Sequence, residues 1–169
     1  MSPCKLWLYR LMTGWLPETR CFGLKAALLK WCGARVGRNV QVLSSAIISG
    51  DGTLIVGDDV WIGAGSRISP TGTAVIKIGS NVDIGPEVMI LTGTHEIDAG
   101  LSHMAGTGLG RSVTIGNGCW LGARSTLLPG VELAEKTVVA AGSVVIRGVD
   151  KPMQLIAGVP AKVKKSFAG

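Results

Sequence analysis

Tyr and Phe are scarce in this chain, which has one Tyr and two Phe among its 169 residues. The formal net charge of +6 would be compatible with a nucleic-acid-binding surface. Such surfaces commonly combine basic residues with aromatic rings that stack on bases, and no RNA-recognition signature is present either. We therefore predict no nucleic-acid partner. The basic excess then indicates either a solvated surface or a site for an anionic ligand.

Cysteine and histidine are also few, with four and two residues. No pair among Cys4, Cys21, Cys32 and Cys119 has zinc-finger spacing, and the chain is not a small cysteine-rich scaffold. A catalytic zinc site commonly uses three protein ligands, often histidines. We expect four free thiols in a reducing cytoplasm and no metal.

Long apolar runs are missing as well. No segment offers the roughly 18 consecutive apolar residues of a transmembrane helix. The N-terminal stretch is interrupted by Lys5, Arg10, Pro17 and Glu18, so it does not resemble a secretory signal peptide. Hydrophobic residues still make up 47% of the chain, which excludes intrinsic disorder and predicts one domain with a sizeable core. The sequence therefore predicts a folded, cytoplasmic protein.

Residues 113–146 contain a six-residue repeat. An aliphatic side chain occurs at every sixth position: Ile115, Leu121, Leu127, Leu133, Val139 and Val145. Small or modest-sized side chains follow four places later: Cys119, Ser125, Val131, Thr137 and Ser143. Six is neither the helical period nor that of an alternating strand, but it is the period of a parallel β-helix. Stacked coils would place the aliphatic column and the small-residue column together in a narrow interior.

The same two columns continue upstream, from Val36 to a last pair at Ile90 and Thr94. The inserts SGDGT (49–53) and SPTGT (69–73) reset the register, and their Gly, Pro and Asp residues indicate loops. The repeat stops again in a polar, Gly-rich segment at 92–112. We predict an all-β fold, a parallel β-helix over residues 34–148, with a functional loop protruding at about 95–112.

Residues 1–33 lack the six-residue period and form a separate N-terminal segment. The spacing of Leu24, Leu28 and Trp31 predicts a helix, and Gly33 is placed to end it. One interpretation is a helical cap over the open end of the first coil, where strand edges would otherwise be exposed. The other is a membrane-interface segment over residues 1–16, with Trp, Leu and basic residues, that brings the protein to the inner face of the membrane.

The C-terminal residues 149–169 form a tail in this interpretation. The chain leaves the coils through Pro152 and Pro160 and becomes basic. We expect Lys162, Lys164 and Lys165 to lie on a short helix or a tail.

His95 is the candidate general base. It follows Thr94 directly, at the junction of the rigid coils and the loop, so its side chain should project outward. A neutral imidazole with an ordinary pKa near 6.5 suits proton removal from a hydroxyl or an amine. Glu96 and Asp98 are both near enough in sequence to orient the other ring nitrogen. His103 lies inside the loop and is a weaker candidate for the general base.

Basic residues near the C-terminal coils are a second candidate group. A phosphate-bearing ligand could be bound by Arg147, Lys162 and Lys165 together with Arg111 and Arg124. Backbone amides at the coil corners could bind amide groups of that ligand or the oxyanion of an acyl-transfer intermediate.

Six stretches together resemble the hexapeptide-repeat acyltransferases, specifically the sugar O-acetyltransferases related to galactoside, maltose, nodulation and colanic-acid acetyltransferases. These stretches are LLKWCGARVGRNVQV (28–42), TGTHEID (92–98), IGNGCWLGA (115–123), LLPGVEL (127–133), VVAAGSVV (138–145) and AGVPAKVKK (157–165). The resemblance covers nearly the whole chain past residue 20. It implies a left-handed parallel β-helix, an exception to the usual right-handed crossover.

The resemblance also implies an activity, which is acetyl transfer from the co-substrate acetyl-CoA to a sugar or glycan hydroxyl in surface polysaccharide biosynthesis. Family members are homotrimers with active sites between subunits. By position, His95 would be the base, oriented by Glu96 or Asp98. The residues implied in cofactor binding are Trp120, Ala123, Ala141, Ser143, Arg147, Lys162 and Lys165.

The sequence departs from the family pattern at several positions. Ala123 stands where relatives often have Ser, Ala140 replaces a common Gly, and Leu133-Ala134 replaces the usual Ile-Gly. The loop after His95 lacks the acidic pairs often found there, which leaves the acceptor open. Alternative activities are N-acetylation of a nucleotide-linked amino sugar and serine O-acetylation. A non-catalytic structural β-helix subunit is the alternative from another class.

Overall fold

Three parallel sheets wind around one interior in a computed structural model that describes residues 1–100 and 102–167. Each of five coils contributes one short strand to each sheet, so the fold is a parallel β-helix. This confirms the predicted fold class. Two helices precede the coils, a β-hairpin interrupts them, and a second hairpin follows them.

The elements follow the coils in order. The helices are α1 (Pro3–Thr13) and α2 (Phe22–Trp31). The first three coils contain β1 (Arg35–Val36), β2 (Gln41–Val42), β3 (Ile47–Ile48), β4 (Thr53–Val56), β5 (Trp61–Ile62), β6 (Arg67–Ser69), β7 (Val75–Ile78), β8 (Asp83–Ile84) and β9 (Met89–Leu91). The inserted hairpin is β10 (Gly93–Ile97) and β11 (Ala105–Gly110). The remaining strands are β12 (Val113–Ile115), β13 (Trp120–Leu121), β14 (Thr126–Leu127), β15 (Glu132–Leu133), β16 (Val138–Val139), β17 (Val144–Val145), β18 (Gln154–Gly158) and β19 (Ala161–Ser166).

The three sheets define three corners at which the chain passes from one sheet to the next. Sheet A has the order β1-β4-β7-β12-β15, and sheet C has the order β3-β6-β9-β14-β17. Sheet B has the order β2-β5-β8-β13-β16-β18-β19, in which only the last pair is antiparallel. We call the turns between the sheets the A–B, B–C and C–A corners.

The two repeating columns of the sequence fill the interior. Apart from the half-buried Val36, every aliphatic column residue from Val42 to Val145 is at most 4% exposed. The small-residue column is equally buried, with Thr94 as the exception. Thr94 lies on β10, because the chain leaves the third coil after Leu91, and Thr92 is the buried residue there. The prediction that Thr94 continues the column is therefore wrong.

Glycine follows the inward aliphatic residue at two of the three corners: at the A–B corner in the first four coils, and at the B–C corner in the second to fourth coils. At Gly57 on the A–B corner, an added Cβ would lie 2.7 Å from the carbonyl carbon of Gly79 in the next coil. The fifth coil has Ala134 and Ala140 at the equivalent places. No further regular coil stacks on them, since only the bridge at Val149 and strand β18 follow. This explains why alanine is tolerated at these two departures from the family pattern.

Polar side chains form a ladder up the A–B corner through all five coils. The backbone N–H of Arg38 donates to Asp58 Oδ1 at 2.7 Å. One coil further, Asp58 N–H donates to Ser80 Oγ at 3.0 Å, and Ser80 N–H donates to Asn117 Oδ1 at 2.9 Å. Asn117 Nδ2 completes the ladder by donating to Glu135 Oε1 at 3.0 Å. We call these residues the corner ladder, and they satisfy backbone groups that a turn leaves without a strand partner.

Helices α1 and α2 pack on the first coil. Leu6 and Tyr9 of α1 and Leu29 of α2 are buried in the same core cluster as the coils. Lys25 is fully buried, and its Nζ donates to the carbonyl oxygens of Pro17 and Glu18 in the linker between the helices. Gly33, with a φ of +100°, follows the end of α2. Of the residues described, none belongs to a helix with the length and apolar character to cross a bilayer.

The C-terminal residues continue sheet B instead of forming a helix. Strand β18 pairs in parallel with β16, and β19 folds back antiparallel on β18. Lys162, Lys164 and Lys165 lie on β19, so the expected short helix is wrong. The free edge of β18 provides the physical reason, because its backbone groups need partners and β19 supplies them.

Candidate active site

His95 lies on β10, in the hairpin that emerges at the C–A corner between β9 and β12. The hairpin is antiparallel, and His95 is in register with Gly108 of β11. The imidazole is exposed. The pairing of β10 with β11 therefore fixes the backbone of His95, while its ring remains accessible to solvent.

A backbone carbonyl holds the ring of His95. His95 Nδ1 lies 3.0 Å from the carbonyl oxygen of Gly106 on β11. Because a carbonyl only accepts hydrogen bonds, Nδ1 carries the proton in this contact. The neutral ring then has its lone pair on Nε2, directed away from the contact, and this is the nitrogen that can remove a proton.

Neither Glu96 nor Asp98 supplies the contact to His95 Nδ1 that the sequence led us to expect. Glu96 lies at an irregularity in the pairing of β10 with β11, and the described residues show no hydrogen bond between its carboxylate and the His95 ring. The Asp98 carboxylate accepts the backbone N–H of Gly100 at 2.8 Å. Gly106 takes the orienting role instead. His103 is exposed in the loop beyond β10.

A shallow groove at the B–C corner brings Ala123 and Ala141 together. It has a volume of about 540 Å³ and lies across three successive coils. Its lining residues are Pro86, Glu87, Ala123, Arg124, Ala141 and Gly142. Arg124 Nε donates to Glu87 Oε2 at 2.7 Å, so an ion pair lies along the groove. We call this the corner groove.

Trp120 lies on the outer face of sheet B, on strand β13, which leads into the B–C corner where the groove lies. It is 56% exposed and in register with Asp83 and Val138 of the neighbouring strands. A large exposed indole beside Ala123 gives a flat apolar surface next to the groove.

Ser143 is inside the protein and does not face the groove. It is 1% exposed, and its Oγ accepts the backbone N–H of Gly158 at 3.1 Å. Its hydroxyl therefore anchors the turn of the C-terminal hairpin to the fifth coil. The direct contact with a cofactor that the resemblance implied does not fit this position.

The basic residues that were expected to gather around one ligand lie at different places. Arg147 follows β17 at the C–A corner, and Arg111 follows β11 at the same corner. Lys162 and Lys165 lie on β19 at the edge of sheet B, with Lys165 Nζ 4.9 Å from the centroid of the Phe167 ring. Arg124 lies at the B–C corner. The predicted cluster is therefore divided between two corners and one sheet edge.

The base and the corner groove are apart within one chain. His95 is at the C–A corner and the groove at the B–C corner, with the outer face of sheet C between them. A ligand held in the groove would not reach Nε2 of the same chain unless it crossed that face.

Cys119 does not have the character of a nucleophile. Its thiol is buried in the small-residue column and donates to the carbonyl oxygen of Ala134 at 3.3 Å. Burial raises the pKa of the thiol, because the charged thiolate would lose its hydration. Elsewhere in residues 1–100 and 102–167, no three His, Cys, Asp or Glu side chains gather closely enough to hold a metal ion.

Sequence reasoning missed the carbonyl of Gly106 and the wall of the groove formed by Pro86 and Glu87. A backbone carbonyl leaves no side-chain signal. The alternating glycines at 106, 108 and 110 were a usable sign, since they indicate a strand that lies close to a neighbour. Pro86 and Glu87 occupy the third coil at the corner phase of Ala123 and Ala141, so the repeat could have identified them.

Two family models match the coils. Residues 112–147 match the bacterial transferase hexapeptide (six repeats), and residues 53–91 match the hexapeptide repeat of succinyl-transferase.

Relatives match over most of the chain. A putative colanic acid biosynthesis acetyltransferase of Escherichia coli is 31% identical over 80% of this chain and 70% of its own length. The galactoside O-acetyltransferase of Escherichia coli is 29% identical over 82% and 66%. The chain spans about half the length of the putative acetyltransferases of Schizosaccharomyces pombe and Saccharomyces cerevisiae that it also matches, at 42% and 56%.

A solved structure has the same fold. The hexapeptide-repeat acetyltransferase of Vibrio cholerae, complexed with acetyl coenzyme A, superposes with a TM-score of 0.67 at 22% identity, over 99% of this chain and 87% of that one.

Proposed function

Since the chain belongs to the hexapeptide-repeat acetyltransferase family, we propose that it transfers an acetyl group from acetyl-CoA to a sugar hydroxyl. The contact between His95 Nδ1 and the Gly106 carbonyl is the observation that carries this proposal. It fixes the tautomer that a general base requires and leaves Nε2 accessible.

The reaction is a direct transfer between the two substrates. Nε2 of His95 accepts the hydroxyl proton as the hydroxyl oxygen attacks the thioester carbonyl carbon. The carbon–sulfur bond breaks, coenzyme A leaves as a thiolate, and the imidazolium returns the proton to that sulfur. The high pKa of the buried Cys119 thiol favours this route over an acyl-enzyme.

The corner groove and Trp120 form the donor site in this proposal. Ala123 and Ala141 leave room for a narrow chain along the corner, and Trp120 provides an apolar surface beside it. Lys162 and Lys165, on the sheet edge beyond the groove, would attract the phosphates of the donor. The solved relative from Vibrio cholerae binds acetyl coenzyme A on the same fold, which supports this donor.

A homotrimer completes the site. His95 and the corner groove occupy different corners of one chain, so a neighbouring copy that places its groove against the C–A corner would bring base and donor together. Closed cyclic symmetry would repeat that contact in three equivalent clefts. Arg111 and Arg147, at the corner of His95, would then face the neighbour's bound donor.

The acceptor is a sugar of a surface polysaccharide, and the reaction takes place in the cytoplasm, where acetyl-CoA is available. Support comes from the relative named for colanic acid biosynthesis and from the galactoside O-acetyltransferase. The exposed hairpin around His95, rich in glycine and open to solvent, is compatible with a large glycan acceptor.

The test is release of coenzyme A thiol, measured across a panel of sugars, amino sugars and glycans, for the wild type and for His95→Ala. We expect acceptor-dependent release in the wild type and a loss of about 10²- to 10⁴-fold in kcat in the variant. Thermal stabilisation by coenzyme A should be retained, because His95 lies outside the groove. Glu96→Gln is the matched control, since it alters the next side chain on β10. Wild-type turnover in His95→Ala would exclude His95 as the base.

A further inference from the structure

Helix α1 has two apolar faces, of which only one is used by the fold. Its inner face packs on the first coil through Leu6, Tyr9 and Thr13, all buried. Its outer face is formed by the exposed side chains of Cys4, Trp7, Leu8, Leu11 and Met12, and by Trp15 in the turn that follows. Trp7 is 66% exposed and Trp15 is 86% exposed. We call these six residues the outer face of α1.

The spacing of these residues is that of one continuous helical stripe. Positions 4, 7, 8, 11, 12 and 15 recur at intervals of three and four, so the side chains align along one side of the helix. On the same wheel, Lys5 and Arg10 lie on opposite flanks of the stripe, at 3.6 residues per turn. Arg10 is exposed on its flank. The Lys5 ammonium is turned towards α2, where it donates to the Trp31 carbonyl oxygen at 3.3 Å and lies 4.8 Å from the centroid of the Trp31 ring. The helix therefore presents an apolar strip with an exposed positive charge on the Arg10 side.

The charge of the molecule is concentrated at this end. Residues 1–50 contain seven Lys and Arg against a single acid, Glu18, a net charge of +6. Residues 51–169 contain ten basic and ten acidic residues, so the whole net charge of +6 resides in the cap and the first coil. The one acid is occupied, because the Glu18 carboxylate accepts hydrogen bonds from Ser45.

We propose that the outer face of α1 docks onto the surface of an anionic lipid bilayer. Indole rings and long aliphatic side chains partition into the interfacial region, and the exposed Arg10 beside them meets the phosphates of the headgroups. The inner face of α1 stays packed on the coils, so the helix lies in the plane of the interface. The β-helix is then oriented with its N-terminal helices against the membrane. Charge complementarity favours lipid over a second copy of this chain, whose corresponding end carries the same positive charge.

Vesicle flotation with the full chain tests this docking. The wild type is expected to float with vesicles of phosphatidylcholine mixed with phosphatidylglycerol, less with phosphatidylcholine alone, and less at high salt. Trp7→Gln combined with Trp15→Gln should reduce the partition coefficient by about tenfold or more. Ile146→Gln, which alters an exposed aliphatic residue after the fifth coil, is the matched control and should bind as the wild type.

A charge-reversal pair tests the electrostatic part. Arg10→Glu should weaken binding to the anionic vesicles by about fivefold or more, since each basic residue at the surface contributes about that factor. Lys151→Glu makes the same change near the fifth coil and should leave binding unchanged. Far-UV circular dichroism and the thermal shift with coenzyme A would establish that each variant is folded.

Three results would overturn the proposal. One is a Trp7, Trp15 double variant that floats as well as the wild type. Another is a wild type that does not bind anionic vesicles at all. The third is a wild type that self-associates without lipid beyond the assembly formed by the double variant, measured by sedimentation velocity, in which case the outer face of α1 is an interface between copies. None of these results depends on acetyl transfer.

Discussion

The buried hydroxyl groups of the small-residue column differ in whether they make a hydrogen bond. Thr137 Oγ1 donates to the Ala134 carbonyl at 2.7 Å, and Ser66 Oγ donates to the Gly85 carbonyl at 2.8 Å. Ser125 is equally buried, but its Oγ has no partner within the described residues. A buried hydroxyl that gains no hydrogen bond costs roughly 1–3 kcal/mol. Ser125 therefore contributes volume to the column and little else.

Replacing the two serines separately should have opposite effects on stability. Ser125→Ala should be neutral or stabilise the protein by up to about 1 kcal/mol, because it removes an unpaired group. Ser66→Ala, the matched control, should lose about 1 kcal/mol because it leaves the Gly85 carbonyl without its donor. Equilibrium unfolding in urea measures both. A larger loss for Ser125→Ala than for Ser66→Ala would contradict this account.

At the scale of the elements, close stacking of coils requires glycine at the corners. The carbonyl carbon of Gly79, together with the nitrogen and Oγ of Ser80, lies 2.7 Å from where a Cβ on Gly57 would be. Two of these three atoms belong to the backbone of the next coil, so the contact can be relieved only by moving that coil.

Gly57→Ala should therefore destabilise the protein by about 2 kcal/mol or more, in the upper part of the range of about 1–3 kcal/mol that is usual when a well-packed core is overfilled. Gly23→Ala is the control, because Gly23 lies in α2 with open space around it. That change should stabilise the helix by up to about 1 kcal/mol. Melting temperatures of the two variants against the wild type give the comparison, and equal shifts would refute the role of coil stacking.

The corner ladder gives the stability of the coils an acid dependence. The backbone N–H of Arg38, and then its guanidinium, hold the pKa of the Asp58 carboxyl below its ordinary value. A carboxylate with a lowered pKa stabilises the fold above the ordinary carboxyl pKa near 4, and this contribution disappears as the pH falls through the lowered value. Asp58 thus stabilises the corner at neutral pH and not in acid.

Asp58→Asn should lower the melting temperature at neutral pH, and the difference from the wild type should shrink as the pH falls below the ordinary carboxyl pKa and through the lowered pKa of Asp58. Asp150→Asn removes an exposed carboxylate after the fifth coil and controls for the loss of charge alone. Differential scanning calorimetry over a pH series measures the effect. A deficit for Asp58→Asn that is constant with pH would show that the carboxylate charge is not the cause.

At the scale of the whole molecule, the separation of His95 and the corner groove on different corners predicts that each active site is shared between two copies of the chain. If neighbouring copies share each site, a variant that lacks the base and a variant with a blocked groove should complement each other. His95→Ala removes the base, and Ala141→Arg fills the exposed floor of the groove.

Each variant alone should retain only a small residual activity. Trimers that reassemble from an equal mixture should regain activity in about a quarter of their clefts, because those clefts combine a wild-type hairpin with a wild-type groove. Thiol release before and after unfolding and refolding of the mixture measures this. Mixing without refolding is the control. If refolding the mixture restores no activity, base and groove belong to the same chain.

The sequence predicted the coils well because their signal is periodic. Every side chain of the aliphatic column from Val42 to Val145 is buried as the six-residue spacing requires. The same phase places Ala123 and Ala141, one coil apart, at a single corner. Elements outside the repeat were less predictable. Strand β19 is specified by the free edge of β18 and not by its own pattern, and the hairpin begins at Gly93 without a break in polarity.

The candidate site was predictable to the extent that it consists of side chains. His95 could be singled out as the residue at the junction of coil and loop. The hydrogen-bond partner of its Nδ1 is the backbone carbonyl of residue 106. Because every residue type has such a carbonyl, the sequence could not indicate it, and the nearby carboxylates of Glu96 and Asp98 were predicted as the partner instead. The cofactor contact of Ser143 was implied by the resemblance alone, whereas its place in the small-residue column predicts burial, and its Oγ accepts the Gly158 N–H inside the protein.

The hairpin that carries His95 is inserted between the third and fourth coils, but the pairing of strands in the sheets continues across the insertion. Strand β12 pairs directly with β7, placing Val113 beside Ile76 as though nothing had been inserted between the third and fourth coils. Closing a longer loop at that point costs little, because the entropy of closure grows only with the logarithm of its length. The segment beyond His95 can therefore be exchanged, lengthened or shortened without altering the pairing of the coils. Under the proposed function, a change in this segment would alter the acceptor side and leave the donor groove as it is.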